Sequence, residues 1–436
     1  MPFKLHGVHV PHRKHTDGMT AVRMPSPESV TIPTAMHIGA PANVIVKAGD
    51  SVKVGTLIAE AVGAVSSPVY SSVSGTVKSI TDVLLSNGKT APAVVIESDM
   101  EMIADESVVP PIINSRQDLI DAVKKSGIVG LGGAGFPTYV KLNTDKAIDE
   151  LVINGAECEP YITSDSVTMV ADKDNILYAV KELVKYLDIK RVIIGIESNK
   201  PEAIKAMEEI SKETDNMSVK ILPPVYPQGG EKVLVYHTTG KKIPMGGLPI
   251  DVGCVVCNSS TIASIGKFLK TGMPLVERCI TVDGAAVNNP QNVIVPIGTA
   301  MSDVFEFCGG LKTDLAKLLY GGPMMGIAVP DINLPVLKNT NAILALSEKE
   351  ARLPDTTACI KCGACASHCP FGINPAALGK AYRNDDIEKT IEIGAELCME
   401  CGCCSFVCPA NRPLVQTNKL AKAAIRDYRN RKKEEK

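Results

Sequence analysis

Two runs of cysteine near the C-terminal end of the 436-residue chain constrain its fold more than any other feature. Each run has the spacing Cys-x2-Cys-x2-Cys-x3-Cys-Pro, which is typical of bacterial proteins that hold two 4Fe-4S clusters. The first run contains Cys359, Cys362, Cys365 and Cys369, and the second contains Cys398, Cys401, Cys404 and Cys408. Structural zinc sites instead pair two Cys-x2-Cys arms across a longer loop. Two uninterrupted quartets therefore predict iron–sulfur clusters and one-electron transfer.

The same spacing predicts which thiols share a cluster. In two-cluster ferredoxins the first three cysteines of a run hold one cube and the fourth ligates the other cube. We therefore expect the last cysteines of the two runs to be exchanged. The first cluster would take Cys359, Cys362, Cys365 and Cys408, and the second would take Cys369, Cys398, Cys401 and Cys404. The additional Cys403 is expected to be a non-ligand.

Composition and charge restrict where such a chain can work. It has 14 cysteines, and crowded cysteines in a reducing compartment are metal ligands more often than disulfides. A net charge of −2 gives no basic field for nucleic acid. No apolar stretch approaches the ~18 residues that span a bilayer, and the first residues lack the apolar core of a signal peptide. We expect a cytoplasmic protein with no span of its own that reaches a membrane only through a partner.

The N-terminal part predicts a small β-domain. Residues 1–105 alternate short Val/Ile runs with turn residues, which favours a barrel or sandwich. The phrases GDSVKVGTLIAE and VSGTVKSI resemble the two halves of a lipoyl-type hammerhead. The stretch that corresponds to the carrier hairpin, Ala61 to Tyr70, contains no lysine, so we interpret this domain as a scaffold.

Three further parts follow along the chain, making a multidomain α/β protein. Residues 112–275 alternate strands with helices and predict an α/β domain with a largely parallel sheet. Helices are expected at Arg116–Lys125 and Pro201–Ser211. Residues 276–340 predict a small module of strands with one short helix, and residues 345–436 predict a helix-rich domain around the cysteine runs.

Two loops of the α/β domain carry candidate binding groups. The segment GLGGAGFPT (residues 130–138) matches G-x-G-x-x-G, but a dinucleotide fingerprint needs a strand before the loop and a helix after it. The loop follows a helix, and Pro137 is expected to prevent a helix from opening directly after it. Its amides could bind a phosphate, and a plain turn is the alternative. Glu157 and Glu159 follow a strand end, where ligands bind in α/β sheets; a solvated acidic turn is the alternative.

Taken in order, four segments resemble the flavin-binding loops of the flavoprotein subunit of respiratory complex I: GLGGAGFPT, VINGAECEPYIT, PQGGEK and VCNSSTIAS. The whole chain, from GVHVPHRK through GGPMMG to NRPLVQ, resembles the RnfC family, the C subunits of the Rnf complex, which is a membrane ferredoxin–NAD oxidoreductase. The resemblance implies non-covalently bound FMN, NAD(H) stacked on it, and a soluble-ligand-binding β-grasp module at residues 276–340. It also implies membrane partner subunits, transport of Na+ or H+ and eventual electron exchange with ferredoxin.

The resemblance further implies a set of site residues. The phosphate side of the cofactor would be lined by Gly132, Gly133, Ala134 and Lys141, and the ribityl or nicotinamide groups would be met by Asn154, Glu157 and Glu159. The next loop would be formed by Gly229, Gly230 and Glu231, and the site would be closed by Asn258, Ser260 and Thr261. Phe136 would stack on the dinucleotide. Glu157 and Lys141 are expected to act in catalysis. The complex I pattern has Arg where this chain has Leu131, so that phosphate contact must be absent or replaced.

The chemistry of the cofactors leads to the same function. NADH releases two electrons at once and a cube accepts one, so a flavin is needed between them. We therefore predict a peripheral oxidoreductase subunit on the cytoplasmic face of the membrane. Two alternatives remain, namely a soluble cobalamin reductase of the propanediol-utilisation type and a flavin-free electron-transfer adaptor.

Two other patterns are interpreted structurally. His6, His9, His12 and His15 recur every third residue, but Pro11 interrupts any helix there, and we expect a mobile terminal segment rather than a metal site. Cys254 and Cys257 lie in an apolar, strand-like run and are expected to be buried thiols.

Overall fold

A computed structural model of the chain describes residues 6–85, 88–312 and 314–434. The N-terminal part consists of short strands: β1 (Ala21–Arg23), β2 (Ser29–Pro33), β3 (Asn43–Val44), β4 (Ser51–Val52), β5 (Leu57–Glu60), β6 (Val69–Tyr70), β7 (Gly75–Leu84) and β8 (Thr90–Ser98). Two small antiparallel sheets, β2-β8-β7-β4 and β3-β5-β6, contribute Ile32, Ile58 and Val94 to one apolar core. The strand β1 belongs to neither sheet.

The central part alternates strands and helices as predicted. Its elements are α1 (Arg116–Lys125), α2 (Thr138–Leu142), β9 (Glu150–Gly155), α3 (Ser164–Ala171), α4 (Lys173–Leu187), β10 (Arg191–Glu197), α5 (Pro201–Ser211), β11 (Met217–Leu222), α6 (Glu231–Thr239), a 3-10 turn (Pro249–Val252), β12 (Cys254–Asn258) and α7 (Ser259–Thr271). The four strands are parallel in the order β11-β10-β9-β12. After β9, the chain adds β10 and then β11 on one side of β9, and β12 later pairs with β9 on its other side. The topological switch point, where α/β sheets bind ligands, therefore lies between the carboxyl ends of β9 and β12.

Local sequence signals explain most of these boundaries. The helices α1 and α5 have the predicted limits, because Ser115 Oγ accepts a hydrogen bond from Asp118 N and Pro201 occupies a first turn. The prediction for Pro137 was wrong, since α2 opens at Thr138 directly after it. A proline in front of the first turn has no intrahelical N–H bond to lose, so it is compatible with a helix start.

The next part is a mixed sheet with one helix against it. Its elements are β13 (Glu277–Asp283), β14 (Gln291–Pro296), α8 (Met301–Phe307), β15 (Leu315–Tyr320), β16 (Ile327–Val329) and β17 (Ala342–Ser347), and the strand order is β1-β14-β13-β17-β15-β16. At its edge, β1 runs parallel to β14. The sheet thus includes one strand from the first hundred residues and one strand beyond the predicted limit at residue 340.

The C-terminal part is helical. Its elements are α9 (Glu348–Ala351), α10 (Ala364–Ser367), α11 (Pro375–Arg383), α12 (Ile387–Glu392), a 3-10 turn (Ala395–Leu397), α13 (Cys403–Phe406) and α14 (Leu414–Glu434). Leu378 of α11 packs with Ala421 and Ile425 of α14 in a small apolar core. The third cysteine of each run lies on a one-turn helix, α10 or α13. Among the helices described, none combines the length and the apolarity required to cross a bilayer.

Candidate functional site

The eight cysteines of the two runs line two separate cavities. Cys359, Cys362, Cys365 and Cys408 line a cavity of about 200 Å³. Cys369, Cys398, Cys401 and Cys404 line a second, smaller one. Each cavity brings the three predicted ligands of one run together with the last thiol of the other run, as the spacing predicts. The second cavity also includes Cys403, which was expected to be a non-ligand. In the described parts of the chain, no group of three or more His, Cys, Asp or Glu side chains is placed to hold a single metal ion.

A matching backbone turn brings the thiols of each run together. Lys361 and Gly363 have φ of 57° and 77°, and Glu400 and Gly402 at the equivalent places have 62° and 80°. These left-handed residues flank the second cysteine of each run and curl the chain around it. Glycine adopts this conformation without strain, which explains its place in both runs.

The second cavity lies against the α/β domain. Tyr226 Oη, at the start of the PQGGEK loop, donates a 2.7 Å hydrogen bond to the carbonyl oxygen of Cys401. A Cβ atom on Gly230 would collide with Met399, so that methionine packs directly on the loop. In contrast, Cys359 and Cys362 of the first cavity are exposed. One cavity therefore faces the predicted flavin loops and the other opens at the surface.

Three carbonyl groups of the glycine loop (residues 130–135) are bonded to other parts of the protein. The carbonyl oxygens of Leu131, Gly133 and Gly135 accept 3.1 Å hydrogen bonds from Arg278, Asn339 and the amide of Ile38, respectively. The N–H groups of Gly132, Gly133 and Ala134 donate to none of the described residues, and these three residues are exposed. Successive backbone N–H groups that have no protein acceptor can bind an anion. The loop therefore fits a phosphate group, as its predicted role on the phosphate side of FMN requires.

Asn258 and Thr261 connect the glycine loop to the switch point. Asn258, at the end of β12, accepts from Thr261 N at 3.2 Å and so caps α7. Thr261 Oγ1 accepts from Leu131 N at 3.0 Å. A Cβ atom on Gly132 would lie 2.5 Å from Asn258 Nδ2, so only glycine permits this approach. Two segments that the resemblance assigned to one site are thus in direct contact.

Lys141 and Glu231 also meet. Lys141 Nζ, from α2, lies 3.2 Å from Glu231 Oε1 at the start of α6 and donates to Val256 O at 3.1 Å. Both side chains are partly exposed. Phe136 is half-buried, and its carbonyl oxygen closes the glycine loop by accepting from Gly130 N at 2.8 Å. The stacking role of Phe136 and the catalytic role of Lys141 remain predictions.

The PQGGEK loop packs against the end of β9. Asn154 Nδ2 donates to Gly229 O at 2.9 Å, and Asn154 Oδ1 accepts from Ala156 N at 3.1 Å. A Cβ atom on Gly229 would lie 2.5 Å from Ala156 O. Gly229 is therefore required for close packing of the two loops.

Glu157 points into a buried group of charges. Its carboxylate accepts from Asp165 N and Ser166 Oγ, each at 2.8 Å, and Lys200 Nζ lies 3.3 Å away. Burial acts to raise the pKa of Glu157, but the charges of Lys200 and Lys14 and these hydrogen bonds outweigh it, so the pKa is lowered. Glu157 is therefore an ionised carboxylate satisfied by protein partners, and its contact with a cofactor remains a prediction.

Glu159 holds the GGPMMG turn (residues 321–326). Its carboxylate accepts from Met324 N at 3.0 Å and Met325 N at 2.8 Å. A Cβ atom on Gly322 would collide with this carboxylate. Burial raises the pKa of Glu159 to about 7, against the two amide bonds. The same turn places the carbonyl oxygen of Met324 against Gly402 of the second cysteine run. The acidic loop is thereby linked to the second cavity.

Lys14 was not predicted from the sequence. It enters from the N-terminal segment and donates to the carbonyl oxygens of Glu157, Glu159 and Ile162, which shapes the acidic loop. No periodicity identifies it, because it stands in a polar run and its partners lie far along the chain. Two of the neighbouring histidines have protein partners, since His6 contacts Ser367 O at 3.0 Å and His15 contacts Asp283.

Comparison with protein families identifies four regions of the chain. Four family models match: the RnfC barrel sandwich hybrid domain at residues 3–101, the Nuo51 FMN-binding domain at residues 123–267, the SLBB domain at residues 279–328 and the 4Fe-4S dicluster domain at residues 352–423. These matches confirm the predicted fold class and the prediction of FMN and 4Fe-4S clusters as cofactors.

Curated relatives extend over most of the chain. The C subunit of the proton-translocating ferredoxin:NAD(+) oxidoreductase complex of Clostridium ljungdahlii is 39% identical over 381 residues, covering 86% of this chain and 82% of the relative. The Na(+)-translocating counterpart of Acetobacterium woodii is 39% identical over 427 residues, covering 96% of each. The C subunit of the ion-translocating oxidoreductase complex of Rhodobacter capsulatus is 36% identical, covering 98% of this chain and 84% of the relative. A solved NAD+-reducing NiFe hydrogenase in the H2-reduced state has a TM-score of 0.49 at 17% identity over 71% of this chain and 61% of that one.

Proposed function

The chain belongs to the RnfC family, the C subunits of ion-translocating oxidoreductases, and from this premise we propose that it exchanges a hydride with NAD(H) through FMN and passes single electrons through two 4Fe-4S clusters. Its electrons would go to or come from membrane subunits of the complex and eventually ferredoxin. We further propose a peripheral position on the cytoplasmic face of the membrane. The electron flow would be coupled to transport of Na+ or H+ in other subunits. Of two relatives that are both 39% identical to this chain, one is named as proton-translocating and the other as Na(+)-translocating.

The observation that carries this proposal is the contact between the second cysteine cavity and the predicted flavin loops. Met399 packs on Gly230, and Tyr226 donates to the carbonyl oxygen of Cys401. The first cavity, with exposed Cys359 and Cys362, lies at the surface. This arrangement supports an order in which the second thiol set is next to the flavin site and the first thiol set faces a redox partner.

The residues of the chain have distinct parts in this scheme. Bound FMN takes up electrons in pairs and releases them one at a time, and each cluster carries one. The amides of residues 132–134 would hold the phosphate of FMN. Lys141, paired with Glu231, would place a positive charge beside the site. The acidic loop, shaped by Lys14, would fix Asn154 and Glu157 relative to the ribityl and nicotinamide groups.

Anaerobic titration of the reconstituted protein with NADH tests the proposal. Flavin and cluster absorbance are followed together, and both are expected to bleach. Gly133→Val should abolish flavin reduction and leave the iron content intact, because a branched side chain covers the amides of the loop. Glu157→Ala should behave alike. Cys308→Ser, at a buried thiol that lines neither cavity, is the control that should retain flavin, iron and bleaching.

The outcome also distinguishes the alternatives. A protein that binds clusters but no flavin, with no bleaching by NADH, would be an electron-transfer adaptor. A protein that reduces cobalamin and does not co-purify with membrane subunits would be a soluble reductase. Loss of iron in the Gly133→Val variant would contradict the separation of flavin and cluster parts.

A further inference from the structure

Two buried charged side chains outside every motif of the sequence lie next to the predicted flavin loops. Asp165, on α3, is 6% exposed, and Arg278, on β13, is 4% exposed. Charged residues are rarely buried unless their charge and hydrogen-bonding groups are satisfied. The partners of these two side chains are the elements that form the candidate site.

Asp165 fixes the orientation of the site amide. Its two carboxylate oxygens accept 2.6 Å hydrogen bonds, one from Asn258 Nδ2 and one from Ser260 Oγ. With Nδ2 bonded to Asp165, Asn258 Oδ1 is left to accept from Thr261 N. The orientation of Asn258 under Gly132 therefore depends on Asp165.

Arg278 holds the glycine loop from inside. Nη2 donates to Leu131 O at 3.1 Å, and Nε donates to Thr340 O at 3.2 Å. Arg278 comes from the six-stranded sheet and not from the α/β domain. Leu131 stands where the complex I pattern has Arg, and the guanidinium of Arg278 bonds the carbonyl oxygen of Leu131.

The two charges also depend on each other. Burial raises the pKa of Asp165 to about 6, and the positive charge of Arg278 acts to lower it. Burial lowers the pKa of Arg278, and the charge of Asp165 acts to raise it. Removing either charge takes a favourable electrostatic interaction away from the other, which then keeps only its own hydrogen bonds.

We propose that Asp165 and Arg278 form a positioning pair for the FMN site, which holds Asn258 and the amide-lined loop of residues 130–135 in the geometry that binds the cofactor. This inference rests on the proposed function. Neither residue is expected to touch the cofactor. The pair makes the six-stranded sheet part of the flavin site, although no flavin-loop motif lies in it.

The test measures FMN affinity in the full-length protein with its clusters assembled. Asp165→Asn, Arg278→Met and the double variant are compared with the unsubstituted protein by quenching of FMN fluorescence under anaerobic conditions. Each single variant should bind FMN about ten- to a hundred-fold more weakly, as expected for losing a charge-assisted buried hydrogen bond. The double variant should bind no more weakly than the worse single variant, because the two residues act as a unit. Iron content should be unchanged in all three.

A matched control separates positioning from general stability. Asp283 lies on β13 with Arg278, has a fully buried side chain, and bonds His15 and the amide of Gly284 rather than a flavin loop. Asp283→Asn should lower the melting temperature and leave FMN affinity unchanged. Near-normal FMN binding in both single variants, or equal loss in Asp283→Asn, would overturn the inference. If one single variant does not fold, the other decides, and near-normal FMN binding by that variant overturns the inference. Absence of FMN binding by the unsubstituted protein would instead overturn the proposed function.

Discussion

Replacing Glu159 by glutamine should remove a pH dependence that the structure builds into the GGPMMG turn. The carboxylate accepts two amide hydrogen bonds, from Met324 and Met325. Burial raises its pKa to about 7, whereas the ordinary value is 4.5. Glutamine has the same size and keeps one accepting oxygen, but it cannot ionise.

The size and sign of the effect follow from proton linkage. The folded protein keeps the proton of Glu159 up to a pH of about 7, and the unfolded or locally opened chain releases it near 4.5. The stabilisation is fully present below pH 4.5 and is lost as the pH rises through about 7. At ~1.4 kcal/mol per pH unit, the turn should lose up to about 3 kcal/mol of protection across this range. The Glu159→Gln variant should lose none of it.

Hydrogen exchange at the amides of Met324 and Met325 measures this directly. Exchange is followed by mass spectrometry from pH 5 to 8 and corrected for the intrinsic rate, so that it reports the free energy of local opening. Glu157→Gln is the control with the opposite sign, since the pKa of Glu157 is lowered and its loss should weaken protection of the Asp165 amide at neutral pH. Parallel pH profiles for the Glu159→Gln variant and the unsubstituted protein would refute the reasoning.

Three further predictions concern other parts of the site. Cys369→Ala should lose the second cluster and keep the first, which iron analysis and electron paramagnetic resonance would report; damage confined to the first cluster would contradict crossed ligation. Gly132→Ala should weaken FMN binding in fluorescence titrations, because its Cβ would lie 2.5 Å from Asn258 Nδ2, and unchanged affinity would contradict this packing. Lys14→Met should destabilise the protein by about 3 kcal/mol, since it leaves three carbonyl oxygens without their donor. Urea unfolding measures it, and Arg13→Ala should change stability by less than about 0.5 kcal/mol.

The sequence was most informative where a contact is local. Cysteine spacing determines how a short turn presents three thiols, so the order of residues predicts the grouping around the cavities, apart from Cys403 in the second one. Helix limits followed from Ser115 and Pro201 for the same reason. The prediction for Pro137 was wrong because a proline disrupts a helix that runs into it from earlier residues, whereas a helix can begin directly after it.

The missed residues have their partners far away in the sequence. Arg278 lies 147 positions from Leu131, and Lys14 lies 143 positions from Glu157. No pattern within a window of ten or twenty residues contains such pairs. The directions of Glu157 and Glu159 were also beyond prediction, because the regular alternation of side chains ends where β9 ends.

The edge strand β1 has a consequence for biosynthesis. Ala21 pairs with Asn292, and the ribosome adds Asn292 only after a further 271 residues (292 − 21). At roughly 5–20 residues per second, β1 waits about 14–54 s for its neighbour. The segment before β1 waits as well, because Lys14 needs the carbonyl groups of the acidic loop. The first part of the protein to be synthesised is therefore among the last to dock, and nascent chains halted before residue 292 would leave it accessible to proteases and chaperones.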